Sequence, residues 1–276
     1  STRLQNLGQL LFALHPIHTE VLGWISCLPD ILAVHFALWS IWCVHRSRWT
    51  LVGTCLLLGM LSKEIAFIPL LVWLLCHRSS RGWQVFSLVV GCILLLRWFL
   101  GVESAYVPLD QVWEVSWRVV GQGMWGWLSP LRHFPVRDLF ALSDWKAYGG
   151  IFVWAVLWVN NRQYWPFWLL SFFALVSSLP PILVGYLAAE RYLYLASVGW
   201  TIGVIFSIQT LLQMVPHRVF KIGVLLSVLT LGSIHWVRAP IWSSDTNLFD
   251  HAVSVLPNSG YTWHLRGVVA MQQQDP

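Results

Sequence analysis

Charge is what this sequence has least of. Asp, Glu, Lys and Arg make up 11% of its 276 residues, against about 25% in a soluble domain, so an ordinary water-soluble fold is excluded. Cysteine is sparse and odd in number: Cys27, Cys43, Cys55, Cys76 and Cys92 lie in or beside apolar runs without metal-ligand spacing. They read as small buried hydrophobes, not as a disulfide framework or a zinc site. No cleavable signal peptide is expected either, because Ser1–Asn6 leads into a run of about ten apolar residues that reaches Pro16 without a small-residue cleavage site. The chain reads as beginning partway through a larger protein. A formal charge of +5 would point to nucleic acid in a soluble protein, but here the placement of charges says more than their sum.

What is present in excess is apolar surface. Hydrophobic residues make up 57% of the chain and 20 residues are tryptophan, the composition of an all-α polytopic membrane protein. Apolar runs at 4–14, 24–44, 49–62, 64–76, 83–100, 149–160, 164–184, 192–212 and 219–236 predict about nine spans, several shorter than the ~20 residues of an upright crossing. Lys63 and Glu64 interrupt the stretch 49–76, which is one long helix or two short ones. With two, Arg46, Arg48, Arg78, Arg81, Arg162, Arg218 and Lys221 fall on one side, as cytoplasmic loops should. Every acidic residue then lies on or near the other side, so the two-span threading is preferred.

Three polar stretches stand out against this background. In Leu11–Ile25 an apolar run stops at His15, Pro16, His18 and Glu20; proline should end the helix there, leaving imidazoles and a carboxylate in one turn at the membrane edge. Such a turn can orient a substrate, bind a metal, carry a proton, or simply connect two spans. In Ala188–Trp200 a span opens with Glu190, Arg191, Tyr192 and Tyr194. The arginine fork suits a phosphate, and tyrosine and arginine also anchor at membrane boundaries. In the long connection 101–148, Leu109, Val112, Trp113, Val120, Met124, Trp127 and Leu128 recur at helical spacing opposite Asp110, Glu114, Arg118 and Gln122. That pattern predicts an amphipathic helix in the outer interface, with Glu114 and Arg118 as an i,i+4 pair.

Beyond the last span the composition changes. Ser243 or Ser244 can cap a helix through Leu248, Phe249, Ala252 and Val253 to a stop at Pro257, with a second helix from Ser259 or Tyr261. Residues 239–276 thus resemble the start of a tetratricopeptide (TPR) array on the non-cytoplasmic side, after a membrane domain of residues 1–238. One such unit does not bury its own apolar face, so Leu248, Phe249, Val253, Trp263 and Leu265 are expected to be covered.

Taken in order, LFALHPIHTEVLGWIS, LSKE, AERYLYLASVGW and LFDHAVSVLPNS resemble the transmembrane-plus-TPR O-mannosyltransferase (TMTC-type) family, in the GT-C class of glycosyltransferases. The resemblance implies a multi-pass enzyme that moves a sugar from a polyprenyl-phosphate donor to a protein acceptor on the non-cytoplasmic face, with a bacterial inner membrane preferred to the endoplasmic reticulum. It implies that His15, His18, Glu20, Lys63, Glu64, Glu190, Arg191 and Tyr192 line one outward cavity, with Tyr194 beside them. Lys63 and Arg191 would meet the lipid phosphate. The family's candidate catalytic aspartates belong to a first outer loop that would precede residue 1, which leaves Glu20 or Asp30 as the base in this chain. Two positions depart from the pattern: Cys27-Leu28-Pro29 precedes Asp30 where an arginine is usual, and Ala196 stands where a proline is usual. No metal ligands are assigned, and a divalent cation is left open as cofactor. The expected partners are membrane lipid, the lipid-linked sugar, and an acceptor or subunit met through the tail and the tryptophan-rich helices; nucleic acid is not expected. The alternative is an inactive relative serving as a structural membrane subunit.

Overall fold

Lys63 divides its stretch into two helices. In the computed structural model, which describes residues 2–101, 109–128, 136–138, 144–177, 187–207 and 209–273, α4 (Trp49–Ser62) stops at an extended Lys63 (φ −160°, ψ 139°), and α5 (Ile68–His77) follows a 3-10 turn. Before them come α1 (Thr2–Leu14), the short α2 (Thr19–Gly23) and α3 (Leu28–His45). After them come α6 (Ser80–Phe99), α7 (Leu109–Leu128), α8 (Asp144–Asn160), α9 (Trp165–Ser177), α10 (Tyr194–Ser207), α11 (Gln209–Met214) and α12 (His217–Arg238).

Among the described residues, three helices are long and apolar enough to cross a membrane: Ile25–His45, Ser80–Phe99 and His217–Ser243. The chain is therefore a helical membrane protein. The remaining apolar runs also fold as helices, but α1, α4, α8, α9 and α10 have 13 to 17 residues, short of the ~20 of an upright crossing. Among the described residues, Val136–Asp138 (β1) pairs antiparallel with Leu187–Ala189 (β2), tying the long connection to the residues just before Glu190.

The hairpins turn at residues the sequence does not advertise. Ser47 (φ 55°) links α3 to α4 and Arg78 (φ 45°) ends α5, both left-handed without being glycine. Ser79 then caps α6 by accepting the Gly82 N–H at 3.2 Å. In a bilayer, apolar surface alone does not drive helices together, so close approach through small residues and buried polar bonds has to do it. Gly121 of α7 and Gly150 of α8 meet backbone to backbone, and a Cβ on either would overlap the Ala147 or Gly121 carbonyl. Gly199 of α10 lies on Phe167 and Ser171 of α9, and the Ser171 hydroxyl donates to the Ala196 carbonyl at 3.1 Å. Trp127, Trp168 and Trp200 join these helices, with centroid separations of 5.4 Å for Trp127–Trp200 and for Trp168–Trp200.

Packing adds detail to the picture of α7. It is helical as expected, yet Gln122 from its polar stripe is buried along with Val119, Val120 and Met124. Arg118 reaches Asp144 of α8 at 2.8 Å; the Glu114 side chain lies outside those described. The helix is clamped to the bundle rather than only resting on it.

The C-terminal segment forms two helices, α13 (Asp245–Val255) and α14 (Gly260–Gln273), with Ser244 as cap, its hydroxyl accepting the Asn247 N–H at 3.1 Å. Leu248, Ala252 and Val269 are buried between them, and Arg266 pairs with Asp250 across them. Phe249, Val253 and Leu265 are half-buried. Trp263 keeps 54% of its surface exposed, so its expected cover is not supplied by the described residues.

Candidate functional site

Pro16 builds the first half of the site. His15 takes the extended conformation forced on a residue before proline (φ −66°, ψ 125°), and this turns its ring back over the 3-10 turn Pro16–His18. His15 Nδ1 accepts the Ile17 N–H at 3.2 Å, so Nε2 carries the proton and donates to the Trp127 carbonyl at 2.9 Å. His18 Nε2 lies 2.9 Å from the Ser197 hydroxyl, and its ring is held between Phe12 (4.4 Å) and the edge of Tyr194 (5.1 Å). Burial pushes the His15 imidazole down to about 4 and the His18 imidazole down to about 3. Both rings are neutral at physiological pH and bound inside the protein.

The second half comes from the 3-10 turn Glu190–Leu193 that opens α10. Glu20, fully buried, faces it: one carboxylate oxygen accepts the Arg191 backbone N–H at 3.0 Å and the other accepts Arg191 Nη1 at 3.2 Å. Burial pushes the Glu20 carboxyl up, while the Arg191 guanidinium pulls it back down. Glu190 points the other way. Both its oxygens accept Arg238 Nη2, at 2.9 and 2.7 Å, and Arg238 Nη1 donates to the Pro16 carbonyl at 2.9 Å. Arg238, at the end of α12, thus locks three segments together.

Nearer the surface lies a layer of cations and rings. Lys63 pairs with buried Asp30 at the start of α3. Lys63 Nζ stands 5.1 Å from the centroid of the Tyr192 ring, and the Arg191 guanidinium stands 5.2 Å from that same centroid and 5.3 Å from that of Trp24. The Lys63 side chain is 19% exposed and that of Arg191 26%. Two cations therefore share one aromatic ring, each backed by a carboxylate and each partly open.

The structure brings together Glu20, Asp30, Lys63, Arg191 and Tyr192, with Trp24 between the segments. It separates the others. His15, His18, Glu190 and Tyr194 are buried behind that layer, and Glu64 is exposed with its side chain out of the group. Glu20 and Asp30, named above as candidate bases, are both engaged by cations. Arg238 and Trp127 were missed by sequence reasoning. Arg238 carried a signal, an arginine at the end of a long apolar helix, whereas the Trp127 contribution is a backbone carbonyl and has none. Among the described residues no group of three or more His, Cys, Asp or Glu is placed to hold a metal ion.

With this geometry in view, the chain is similar to a protein O-mannosyl-transferase of Caenorhabditis elegans. The two are 27% identical over 289 aligned positions, covering 91% of this chain and 41% of the relative. The chain thus spans about two fifths of that protein's length. No family model matches the chain, and no solved structure matches it. The match supports a distant O-mannosyl-transferase-like relative.

Proposed function

We propose that the chain is the membrane part of a GT-C glycosyltransferase of the O-mannosyltransferase type, moving a sugar from a polyprenyl phosphate to a protein acceptor on the non-cytoplasmic face. The proposal includes about nine spans, α7 at the outer interface, and residues 239–276 opening a TPR-like domain on that same outer side. The observation that carries it is the pair of partly open cations, Lys63 and Arg191, over the shared Tyr192 ring. Fixed cations in a low-dielectric place stabilise the charge that gathers on a departing lipid phosphate. In this reading Asp30 and Glu20 hold Lys63 and Arg191 in position and are not the base, because each already binds a cation through one of its oxygens.

The test is binding of a polyprenyl phosphate to the purified chain in detergent. Arg191→Ala and Lys63→Met should each weaken it about tenfold or more, the scale of a charge-assisted hydrogen bond. Arg162→Ala, in the α8–α9 turn, should leave it unchanged. Wild-type binding by both site variants would overturn the proposal.

A second reading has its own support. Each of the two cations is already neutralised by a carboxylate, as suits a relative that keeps the scaffold as a structural subunit. That reading predicts no polyprenyl-phosphate binding by the unmodified chain.

A further inference from the structure

The tail of the chain begins at the site. A 3-10 turn, Ala239–Ser243, joins Arg238 at the end of α12 to Ser244, the cap of α13. On one side α13 holds this turn: Asn247 Nδ2 donates to the Ser243 hydroxyl at 2.9 Å and to the Pro240 carbonyl at 3.4 Å. On the other side the turn grips both halves of the site. Arg238 binds Glu190 and the Pro16 carbonyl, and four residues later the buried Trp242 packs on Gly23 and Trp24.

Trp24 is an extended residue (φ −111°, ψ 116°) between α2 and the 3-10 turn Ile25–Cys27, so its ring is not laid down along a helix of its own. Trp242 supports it, with the two ring centroids 5.9 Å apart and the planes at 31°. The approach needs the glycine beside it, because a Cβ on Gly23 would come within 2.7 Å of the Trp242 Cβ. Among the described residues Trp242 Nε1 has no hydrogen-bond partner, so the ring acts here through its shape and apolar surface. Trp24 in turn meets the Arg191 guanidinium, 5.3 Å from its ring centroid. Glu20 accepts from one guanidinium nitrogen, Nη1, which fixes a point and not a plane. The aromatic neighbours therefore take part in setting which way the planar fork faces.

We propose that Trp242 is a positioning residue for the cation site, holding Trp24 and through it the Arg191 guanidinium, so that the root of the tail sets how Arg191 meets a phosphate. The phosphate in this inference rests on the polyprenyl-phosphate reading above; the mechanical link from Trp242 to Arg191 does not. A tryptophan that only filled space at the foot of α12 would contribute to stability and leave the guanidinium as it is.

The test follows Arg191 itself. The full chain in detergent, well below its unfolding midpoint, is treated with phenylglyoxal, and the rate of modification at Arg191 is taken by peptide mass spectrometry relative to that at the exposed Arg162. Trp242→Ala should raise the relative rate about threefold or more, the scale of one lost cation–π contact. Gly23→Ala should do the same from the other side of the contact, because its methyl group displaces Trp242. Trp242→Phe keeps a ring against Trp24 and should stay near the unmodified rate. Val269→Ala, which opens a cavity between the two tail helices, should lower the unfolding midpoint without changing the Arg191 rate. Polyprenyl-phosphate affinity should fall about threefold or more in Trp242→Ala and Gly23→Ala and hold in Trp242→Phe. An unchanged Arg191 rate in both Trp242→Ala and Gly23→Ala, or an equal rise in Val269→Ala, would overturn the proposal. Absence of polyprenyl-phosphate binding by the unmodified chain would count against the donor reading alone, and the labelling would still decide whether Trp242 positions Arg191.

Discussion

Glu20 and Arg191 meet at two points, the carboxylate accepting both the guanidinium Nη1 and the backbone N–H of the same arginine. The carboxylate is buried and the guanidinium is partly open. One side chain thus fixes the start of the Glu190–Leu193 turn and aims the arginine on which the functional reading depends. Removing Glu20 entirely should be much worse than removing its charge. Glu20→Ala leaves a buried N–H and a half-buried guanidinium unpaired and should cost about 3–5 kcal/mol. Glu20→Gln keeps an acceptor and should cost roughly half as much, read as the difference in unfolding midpoint in detergent.

Arg238 and Glu190 form a pair buried at both ends. Arg238→Met and Glu190→Gln should each destabilise by about 3 kcal/mol, because each leaves the other charge buried without its counter-ion. The double variant should recover about 1–2 kcal/mol of the summed loss. Strictly additive losses in the cycle would mean that the pair contributes no coupling.

The imidazoles give a pH dependence with a definite sign. His18, held down at about 3 when folded, has an ordinary value of about 6.5 when unfolded, so unfolding takes up a proton below pH 6.5. Its contribution to stability is complete above that pH and declines as pH falls toward 3, by about 1.4 kcal/mol per unit. The unmodified chain should therefore lose more stability between pH 7 and 5 than His18→Asn does. Comparing the two slopes cancels Glu20, which titrates in the opposite sense in both. Parallel slopes would show that His18 is already open to water.

Among the described glycines, Gly121 and Gly150 leave the least room for a Cβ, whereas a Cβ added to Gly91 of α6 would meet open space, with no atom within 4 Å. Gly121→Ala or Gly150→Ala should force α7 and α8 apart at a cost of about 3 kcal/mol or more, beyond ordinary overpacking because the clash is with backbone. Gly91→Ala should be neutral or stabilise by about 0.5–1 kcal/mol. Thermal unfolding of the three variants separates these outcomes.

Sidedness is open to labelling. In a background free of the native cysteines, Ser47→Cys and Ser80→Cys should resist an impermeant thiol reagent in intact cells, and Ser254→Cys should react. Ser254 is preferable to Ser259, since Ser259 is buried in the tail hairpin. The reverse pattern would invert the proposed threading.

Backbone constraints were the legible part of this chain. Proline after His15 and the polar pair after Ser62 predicted where helices end, because their effect is local and needs no partner. Ser244 as a helix cap was legible for the same reason. The partners within the site were not. His15 bonds a carbonyl 112 residues away and Arg238 bonds the Pro16 carbonyl across 222 residues, distances over which residue type says nothing about proximity. Equally, the motif residues looked alike as polar groups beside apolar runs. Their division into a buried layer and a partly open one depends on which way the two short turns face each other.

Arg78 leaves a last consequence. It stands at a left-handed position that a glycine would occupy without the ~1–2 kcal/mol such a conformation costs other residues. Glycine, however, has no charge for the insertion machinery to sort by. On the proposed threading, the turn after α5 keeps a residue that helps the chain enter the membrane the right way round and then remains as a small permanent strain. The finished hairpin would be better off without it; the nascent one would be left with Arg81 as the arginine of that connection.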